Sequence, residues 1–404
     1  MAMKFYPLWS RLSPRDDDRD FIYTMMQTLD RYHGQVTGVF TGDECVSGKN
    51  PVQGTELCAV ADYMFSLGEA MTVLAAPALG DRLERIAFNA WPATFSPDMW
   101  AHQYDQQPNQ VLCSINEEHM WSTNGPESNI YGLAPNFGCC TANMHMGWPK
   151  LVSHLWMRTE DNGLAAVAYA PSAGTFESAG VPVSVALETD YPFRETLTFT
   201  VTADAPVSFP LLLRIPAWAE GSTLTVAGGD AVSPTSGTFH RIERDWSGET
   251  VIKLVLPMQP ASQRRYNGSI SIERGPLVYS LKIGEEWRQV NKNEPGRERP
   301  HADWKVHPTT DWNYGLVVDE QNLSESVRFE ERPMGDSLFS PDGAPMQATV
   351  IGRQLLTDYG LQRGWAAELP FGGWSAIESN ESLTELTLIP YGCTNLRITE
   401  FPLL

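Results

Sequence analysis

The spacing of apolar residues changes near residue 161, and this change limits the folds open to the chain more than any other feature. In residues 17–33, apolar side chains recur at helical intervals behind an acidic start. Farther along, Leu197, Phe199 and Val201 alternate with threonines, as residues do in strands with one buried face. The sequence therefore predicts a helical part followed by antiparallel β-sandwiches.

Three more helices are expected before the change in spacing. One follows Thr55, which is suited to cap it, and a second covers residues 81–90. The third starts at the adjacent cysteines Cys139 and Cys140, and Pro149 is expected to kink it. Free amides and the positive end of the helix dipole at such starts favour anionic side chains.

Two of these helix starts carry the residues best suited to hold a metal ion. Glu56, Cys58, Cys139 and Cys140 offer three sulfurs and one carboxylate oxygen, a donor set that suits Zn²⁺. Their spacing matches no compact zinc-finger pattern, so buried, inert cysteines remain an alternative. A disulfide between the adjacent cysteines is the poorer alternative, because neighbouring residues can form one only with distorted geometry.

Charge and composition restrict the partners of the chain. A formal net charge of −20 argues against nucleic acid or an anionic membrane, because no basic stripe can neutralise phosphates. No apolar run approaches the ~20 residues that cross a bilayer. Six cysteines in 404 residues are too few for a disulfide scaffold, and thiolate ligands require reduced sulfur. We expect a soluble chain, with a cytoplasmic location favoured unless a signal precedes it.

The motifs resemble, in their order along the chain, those of glycoside hydrolase family 127, the β-L-arabinofuranosidase family. The matching stretches are TGVFTGDE, GTELC, FGCCTANMHMGWPKL, LRIPAW, ERGPLVY and LTLIPYG…LRITEFP. The resemblance implies a carbohydrate substrate and a zinc ion held by Glu56, Cys58, Cys139 and Cys140. It further implies that Cys139 is the nucleophile and Glu44 the general acid/base.

Other residues near these motifs have weaker claims to a role. An alternative interpretation is that Glu44 is only a solvated carboxylate on a surface turn. Asp43 beside it is a second candidate for the acid/base role. His119 and His145 could bond a sugar hydroxyl or orient a ligand, although simple packing is favoured for both. An aromatic-rich region could stack on sugar faces or pack the core. The members of this region are Trp91, Trp100, Tyr104, Trp121 and Tyr131. Three further cysteines have no assigned role, namely Cys45, Cys113 and Cys393.

The resemblance also sets the expected domain organisation. The family's catalytic domain is an (α/α)6 barrel. A dozen helices with their loops need roughly twice the length of the helical part of this chain, or more. We expect a multidomain α and β chain, in which residues 1–160 form the C-terminal part of the barrel. A first β-sandwich follows over 161–275, joined by returning strands 385–404, and a second covers 276–384. A missing N-terminal segment or a second copy of the chain would complete the barrel.

Two functions fit these expectations. The first is a retaining glycoside hydrolase that uses zinc-bound Cys139 as nucleophile and Glu44 as acid/base, acting on β-L-arabinofuranosides or related plant-glycan sugars. The second is a catalytically silent carbohydrate-binding or scaffold protein, in which the three cysteines and Glu56 hold a purely structural zinc.

Overall fold

The computed structural model describes residues 2–12, 15–133, 137–357, 359–371 and 377–404, which form two compact units. Unit 1 comprises Met1–Ile22, Met64–Glu84 and Trp148–Gln259, and unit 2 comprises Tyr23–Tyr63, Arg85–Gly147 and Pro260–Leu404. The fold is mixed α and β, and nearly all of its strand pairs are antiparallel. This agrees with the predicted combination of helices and β-sheets.

Three of the four helices that the sequence predicts are present with changed bounds, and the fourth is divided in two. The helices in the described residues are α1 (Phe5–Trp9), α2 (Asp16–Tyr32), α3 (Leu57–Leu74), α4 (Pro77–Phe88), α5 (Gly138–Asn143), α6 (Trp148–Ser153) and α7 (Leu323–Ser326). Helix α3 is long and apolar enough to cross a membrane, but 67% of it is buried inside the protein. Core helices of globular proteins have the same character.

The helix predicted after Thr55 begins later than expected. Thr55–Glu56 form strand β1, which pairs with β2 (Asp105–Gln106), and the helix starts at Leu57. The Thr55 hydroxyl donates to the Phe40 carbonyl at 3.1 Å instead of capping the helix. Glu56 is therefore a strand residue that immediately precedes the helix, and only Cys58 lies in the first turn.

The single kinked helix predicted after the adjacent cysteines is wrong, because two short helices replace it. Helix α5 ends at Asn143, a 3₁₀ turn covers Met144–Met146, and α6 starts at Trp148. The break falls at Gly147, where an added Cβ would approach the Trp91 ring to 2.2 Å. Gly147 therefore separates the 3₁₀ turn from α6 at a place where the nearby ring leaves no room for a side chain.

Unit 1 contains a seven-stranded sheet in the order β3-β4-β7-β6-β5, with β9 paired to β7 and β8. Its strands are β3 (Trp156–Arg158), β4 (Leu164–Ala166), β5 (Ser172–Ser178), β6 (Val181–Thr189), β7 (Thr196–Ile215), β8 (Thr223–Val226) and β9 (Thr238–Val255). In the pairing of β7 with β9 the register shifts between Ala203 and Val207. The first half of β7 also pairs with β6 and the second half with β4. The predicted alternation of buried and exposed residues is seen at Leu197, Phe199 and Val201, which are all buried.

Unit 2 contains the second seven-stranded sheet, in the order β10-β11-β12-β20-β17-β15, with β16 paired to β17. Its strands are β10 (Pro260–Arg264), β11 (Ile270–Arg274), β12 (Leu277–Leu281), β15 (Tyr314–Leu316), β16 (Val327–Glu331), β17 (Met346–Gln354) and β20 (Thr384–Pro390). Separate two-stranded ribbons are formed by β13 (Glu285–Val290) with β14 (Asp303–Pro308) and by β18 (Leu361–Gln362) with β19 (Trp365–Ala366).

The strand pairing corrects the predicted return of residues 385–404 to the first sandwich. Strand β20 pairs with β12 and β17, so it belongs to the second sheet, together with β10 and β11. The change from one sheet to the other therefore falls between Val255 and Pro260, and not at residue 275. Alternation within β20 indicates which face is buried, but it carries no information on which strands will be its neighbours.

Candidate metal centre

The four side chains predicted as metal ligands come together within unit 2. One ligand atom from each of Glu56, Cys58, Cys139 and Cys140 lies within 4.8 Å of all the others. The sulfurs of Cys58 and Cys140 are 3.3 Å apart, and the Cys140 sulfur is 3.9 Å from Glu56 Oε1. Segments that are far apart in the sequence thus converge on one point.

Local structure fixes each half of this cluster. Strand β1 holds Glu56 through its pairing with β2, and Leu57 N–H donates to the Tyr104 carbonyl at 2.9 Å. The chain then turns into α3, which carries Cys58. Helix α5 carries both other thiols, of which Cys140 is buried and Cys139 is exposed.

The chemistry of this donor set fits a zinc ion. All six cysteines of the chain are free thiols, so no disulfide removes a sulfur from the cluster. Three sulfurs and one carboxylate oxygen in contact suit a tetrahedral zinc site. A cation would also offset the charge that four such donors carry when ionised, and partly buried anions require such a partner.

Burial and the contacts within the cluster shift the pKa values of all four side chains. Burial and the neighbouring thiolate of Cys58 raise the pKa of Glu56 to about 8. Hydrogen bonds from Cys140 and Asn143 lower the pKa of Cys58, while burial raises that of Cys139. The hydrogen bond to Cys58, together with burial, raises the pKa of Cys140. A divalent ion bound to these four donors would favour their deprotonated forms.

Asn143 is a site residue that the sequence reasoning missed. Its side-chain amide donates to the Cys58 sulfur at 3.3 Å and so helps to hold that sulfur as a thiolate. It lies one helical turn after Cys139 and Cys140, on the same short helix. That spacing is the signal that would have found it.

His102 supports the helix of the adjacent thiols and was also missed. The imidazole is buried, and its Nε2 lies 2.8 Å from the Thr141 hydroxyl, in the residue that follows Cys140. Its Nδ1 donates to the Gln103 carbonyl at 3.1 Å. Burial lowers the pKa of His102, so the neutral ring accepts from Thr141. No spacing in the sequence connects these two residues.

The Gly-Asp-Glu turn separates the two carboxylates that compete for the acid/base role. Asp43 accepts hydrogen bonds from the Ser122 hydroxyl at 2.8 Å, from the Thr123 amide at 2.5 Å and from the Thr123 hydroxyl at 2.8 Å. Although burial opposes them, these bonds lower the pKa of Asp43. The side chain of Glu44 is exposed. Asp43 thus anchors the turn as a carboxylate, and Glu44 is presented to solvent.

The same turn is tied to the strand that carries Glu56. Gly42 N–H donates to the Gly54 carbonyl at 2.9 Å, and Glu56 N–H donates to the Gly42 carbonyl at 3.1 Å. Gly42 has a φ of +137°, and an added Cβ would come within 2.7 Å of the Cys45 carbonyl, so only glycine is suited to this position. These bonds hold the Gly-Asp-Glu turn beside the strand that carries Glu56.

The histidines and unassigned cysteines lie outside the cluster. His119 stacks on Trp121 with ring centroids 5.1 Å apart, and His145 donates from Nδ1 to the Ala142 carbonyl at 2.7 Å. The His119 contact matches the packing interpretation that the sequence favoured, whereas the side chain of His145 is exposed. Cys45 is exposed on the acidic turn, and two cysteines are buried elsewhere. Those two are Cys113 and Cys393.

Most of the predicted aromatic residues pack the protein interior. Trp91, Trp121 and Tyr131 are buried, whereas Trp100 is about half exposed. Tyr104 is buried and stacks on Phe137, the residue before α5, with ring centroids 4.4 Å apart. Among the five, Tyr104 contacts the residue that directly precedes the helix of the adjacent thiols.

Comparisons with known proteins agree with this picture. Residues 163–258 match a family model described as the GH127 middle domain of β-L-arabinofuranosidases. A GH127 β-L-arabinofuranosidase from Geobacillus stearothermophilus T6 has a similar fold, with a TM-score of 0.69 and 18% identity. The similarity covers 98% of this chain and 58% of that enzyme. No curated protein sequence matches the chain significantly.

Two further solved structures have a similar fold, again over nearly all of this chain and only part of their own. A GH127 β-arabinofuranosidase matches with a TM-score of 0.66 and 16% identity, over 100% of this chain and 59% of its own. A structure described as a glycoside hydrolase matches with a TM-score of 0.68 and 14% identity, over 99% and 64%. The resemblance to glycoside hydrolase family 127 is confirmed, and the chain spans about 60% of the length of these relatives.

Proposed function

We propose that this chain carries the catalytic centre of a retaining glycoside hydrolase that acts on β-L-arabinofuranosides or related plant-glycan sugars. In this proposal Glu56, Cys58, Cys139 and Cys140 hold Zn²⁺. The observation that carries it is the contact of three thiols and one carboxylate beside an exposed acidic turn. Helices in residues 1–160 would form part of an (α/α)6 barrel, as the family resemblance implies.

Cys139 is the nucleophile in this mechanism, because it is the exposed thiol of the cluster. When bound, zinc keeps the cluster thiols deprotonated at neutral pH. The Cys139 sulfur attacks the anomeric carbon and forms a C–S bond as the bond to the leaving oxygen breaks. The chain's own contribution is to hold this sulfur at a fixed place through α5, supported by His102 and Thr141.

Glu44 is the acid/base in this mechanism. It protonates the leaving oxygen in the first step, and in the second it takes a proton from the water that displaces the sulfur. The water oxygen becomes the new hydroxyl on the anomeric carbon, and the sulfur leaves as a thiolate. Two displacements at one carbon retain its configuration. Asp43 is less suited to this role, because its carboxylate already accepts hydrogen bonds from the turn at residues 122–123.

The exposure of Cys139 favours an enzyme over a scaffold with a structural zinc. A thiol that acts as the nucleophile must be within reach of the substrate, whereas a purely structural ligand need not be. In this cluster Cys140 is buried while Cys139 is exposed.

The stereochemistry of the product tests the proposed function. The protein, loaded with one equivalent of zinc, is given p-nitrophenyl β-L-arabinofuranoside, and the first-formed sugar is followed by proton NMR. We expect the β-anomer to appear first, and chelation of the metal to stop turnover. An α-anomer as first product, or a zinc-loaded protein that leaves this and related furanosides intact, would contradict the proposal.

A further inference from the structure

We propose that a cleft in unit 1 binds small carboxylates with an apolar body, of the class of medium-chain fatty acids and arylalkanoic acids. The cleft encloses about 840 Å³, within the range of small-molecule sites. All the residues that line it belong to unit 1, whereas the four candidate metal ligands belong to unit 2. The inference is independent of the proposed function.

The floor of the cleft is an apolar row that crosses the sheet of unit 1. Met157 of β3 pairs with Ala165 of β4, and Ala165 pairs with Leu212 of β7. Leu212 lies opposite Arg241 of β9, and Phe239 lies two residues before Arg241, on the same face of the sheet. The four apolar residues of this row all line the cleft. Their side chains offer contact to an apolar body and no hydrogen-bonding group to a sugar ring.

The end of helix α3 adds further apolar surface to the cleft. Met71 and Val73 belong to the last turn of this helix and line the cleft. The negative end of the helix dipole also lies in this turn, and it does not attract an anion. Guanidinium groups must therefore supply the attraction for a carboxylate.

Three arginines bring positive charge to the cleft. Arg11 follows α1, Arg19 lies in α2, and Arg158 ends β3. In the part of the chain that the structure describes, neither Arg11 nor Arg19 has a carboxylate partner. The Arg158 guanidinium donates to the Glu177 carbonyl at 2.9 Å and lies over Phe176, 5.0 Å from the ring centroid. Neutral partners thus hold Arg158 in place, and its charge remains available to a ligand.

The acidic residues of the lining offset only part of this positive charge. The Thr159 hydroxyl donates to Asp161, which also pairs with Arg241 at 2.7 Å, and both contacts lower the pKa of Asp161. The other acidic residue of the lining, Glu160, is exposed. Three guanidiniums therefore outnumber the one remaining carboxylate. In a chain with a net charge of −20, this local excess of positive charge favours an anionic ligand.

The floor and the arginines together define the class of ligand. A guanidinium can bind a carboxylate through two parallel hydrogen bonds. An apolar row beside three guanidiniums suits a molecule with an anionic group at one end and a hydrocarbon chain or an aromatic ring as its remainder. Acetate lacks the apolar part, and a neutral amide lacks the charge.

Isothermal titration calorimetry of the full chain tests the assignment. Octanoate and 4-phenylbutyrate are the two probes, which distinguish an aliphatic from an aromatic body. We expect at least one of them to bind saturably, at one site per chain. Acetate and the amide of the carboxylate that binds should both bind about tenfold or more weakly than that carboxylate, because each keeps only one of the two recognised features.

Two variants test the two parts of the cleft separately. In the variant with Arg11→Gln and Arg19→Gln, the affinity for the carboxylate should fall about tenfold or more, while the affinity for its amide stays within about twofold. Phe239→Ala shortens the apolar row and should weaken the carboxylate about fivefold or more without changing the affinity for acetate. Thermal unfolding of the same preparations checks that each variant is folded.

A matched control carries two arginine changes elsewhere in the chain. Arg31→Gln and Arg328→Gln alter exposed residues of unit 2 that do not line the cleft, and this variant should bind the carboxylate as the wild type does. The assignment would be overturned if neither carboxylate bound the wild type saturably or if the amide bound as tightly as its carboxylate. An equal loss of affinity in the cleft and control variants would also overturn it.

Discussion

Replacement of Cys139 by serine should lower kcat by roughly a thousandfold or more. A serine hydroxyl is a far weaker nucleophile than a thiolate at neutral pH. Glu56, Cys58 and Cys140 would remain to hold the metal. The variant should therefore retain most of its zinc and its folded structure.

The measurement combines kcat, zinc stoichiometry and thermal unfolding of the same preparations. Cys45→Ser is the matched control, since Cys45 is also an exposed free thiol but lies outside the cluster. It should behave as the wild type in all three. If Cys139→Ser kept full turnover, the sulfur would not be the nucleophile. If instead it lost stability before activity, the scaffold alternative would gain support.

The second large effect is expected from Glu44→Gln, which should lower kcat for an alkyl furanoside by roughly 10²- to 10⁴-fold. The amide cannot protonate the leaving oxygen or deprotonate water. With p-nitrophenyl β-L-arabinofuranoside the leaving group needs little protonation, so the first step should persist. A burst of p-nitrophenol followed by slow turnover is the expected signature.

Asp43→Asn provides the comparison for this prediction. Asp43 holds the turn through bonds to Ser122 and Thr123, so its change should weaken turnover with both leaving groups alike and show no burst. Zinc content should be unchanged in both variants. Unaltered turnover in Glu44→Gln, or a burst in Asp43→Asn instead, would assign the acid/base role to the other carboxylate.

Local patterns in the sequence predicted much of the fold. The predictions failed where an element depends on pairing with residues far away in the sequence. Helix α2 and the alternation along β7 follow from periodicity, which depends only on near neighbours. The start of α3 was misplaced because Thr55 and Glu56 pair with residues 105–106, far away in the sequence. Strand β20 was assigned to the wrong sheet for the same reason.

The residues of the candidate site also divide into those that the sequence could predict and those that it could not. Residue types and the family resemblance named the four donors, but their convergence depends on β1, α3 and α5 meeting in unit 2. Asn143 shared a helix with the thiols and could have been found by spacing. His102 and the anchors of Asp43 act across the tertiary structure, and no local pattern connects them to the site.

Zinc-edge X-ray absorption on the purified, metal-loaded protein tests the central claim most directly. The account predicts one zinc per chain with three sulfur neighbours at about 2.3 Å and one oxygen at about 2.0–2.2 Å. Cys58→Ser should then reduce the sulfur count from three to two or release the metal. A wild-type spectrum dominated by nitrogen and oxygen, or a count of sulfurs that Cys58→Ser leaves unchanged, would contradict it.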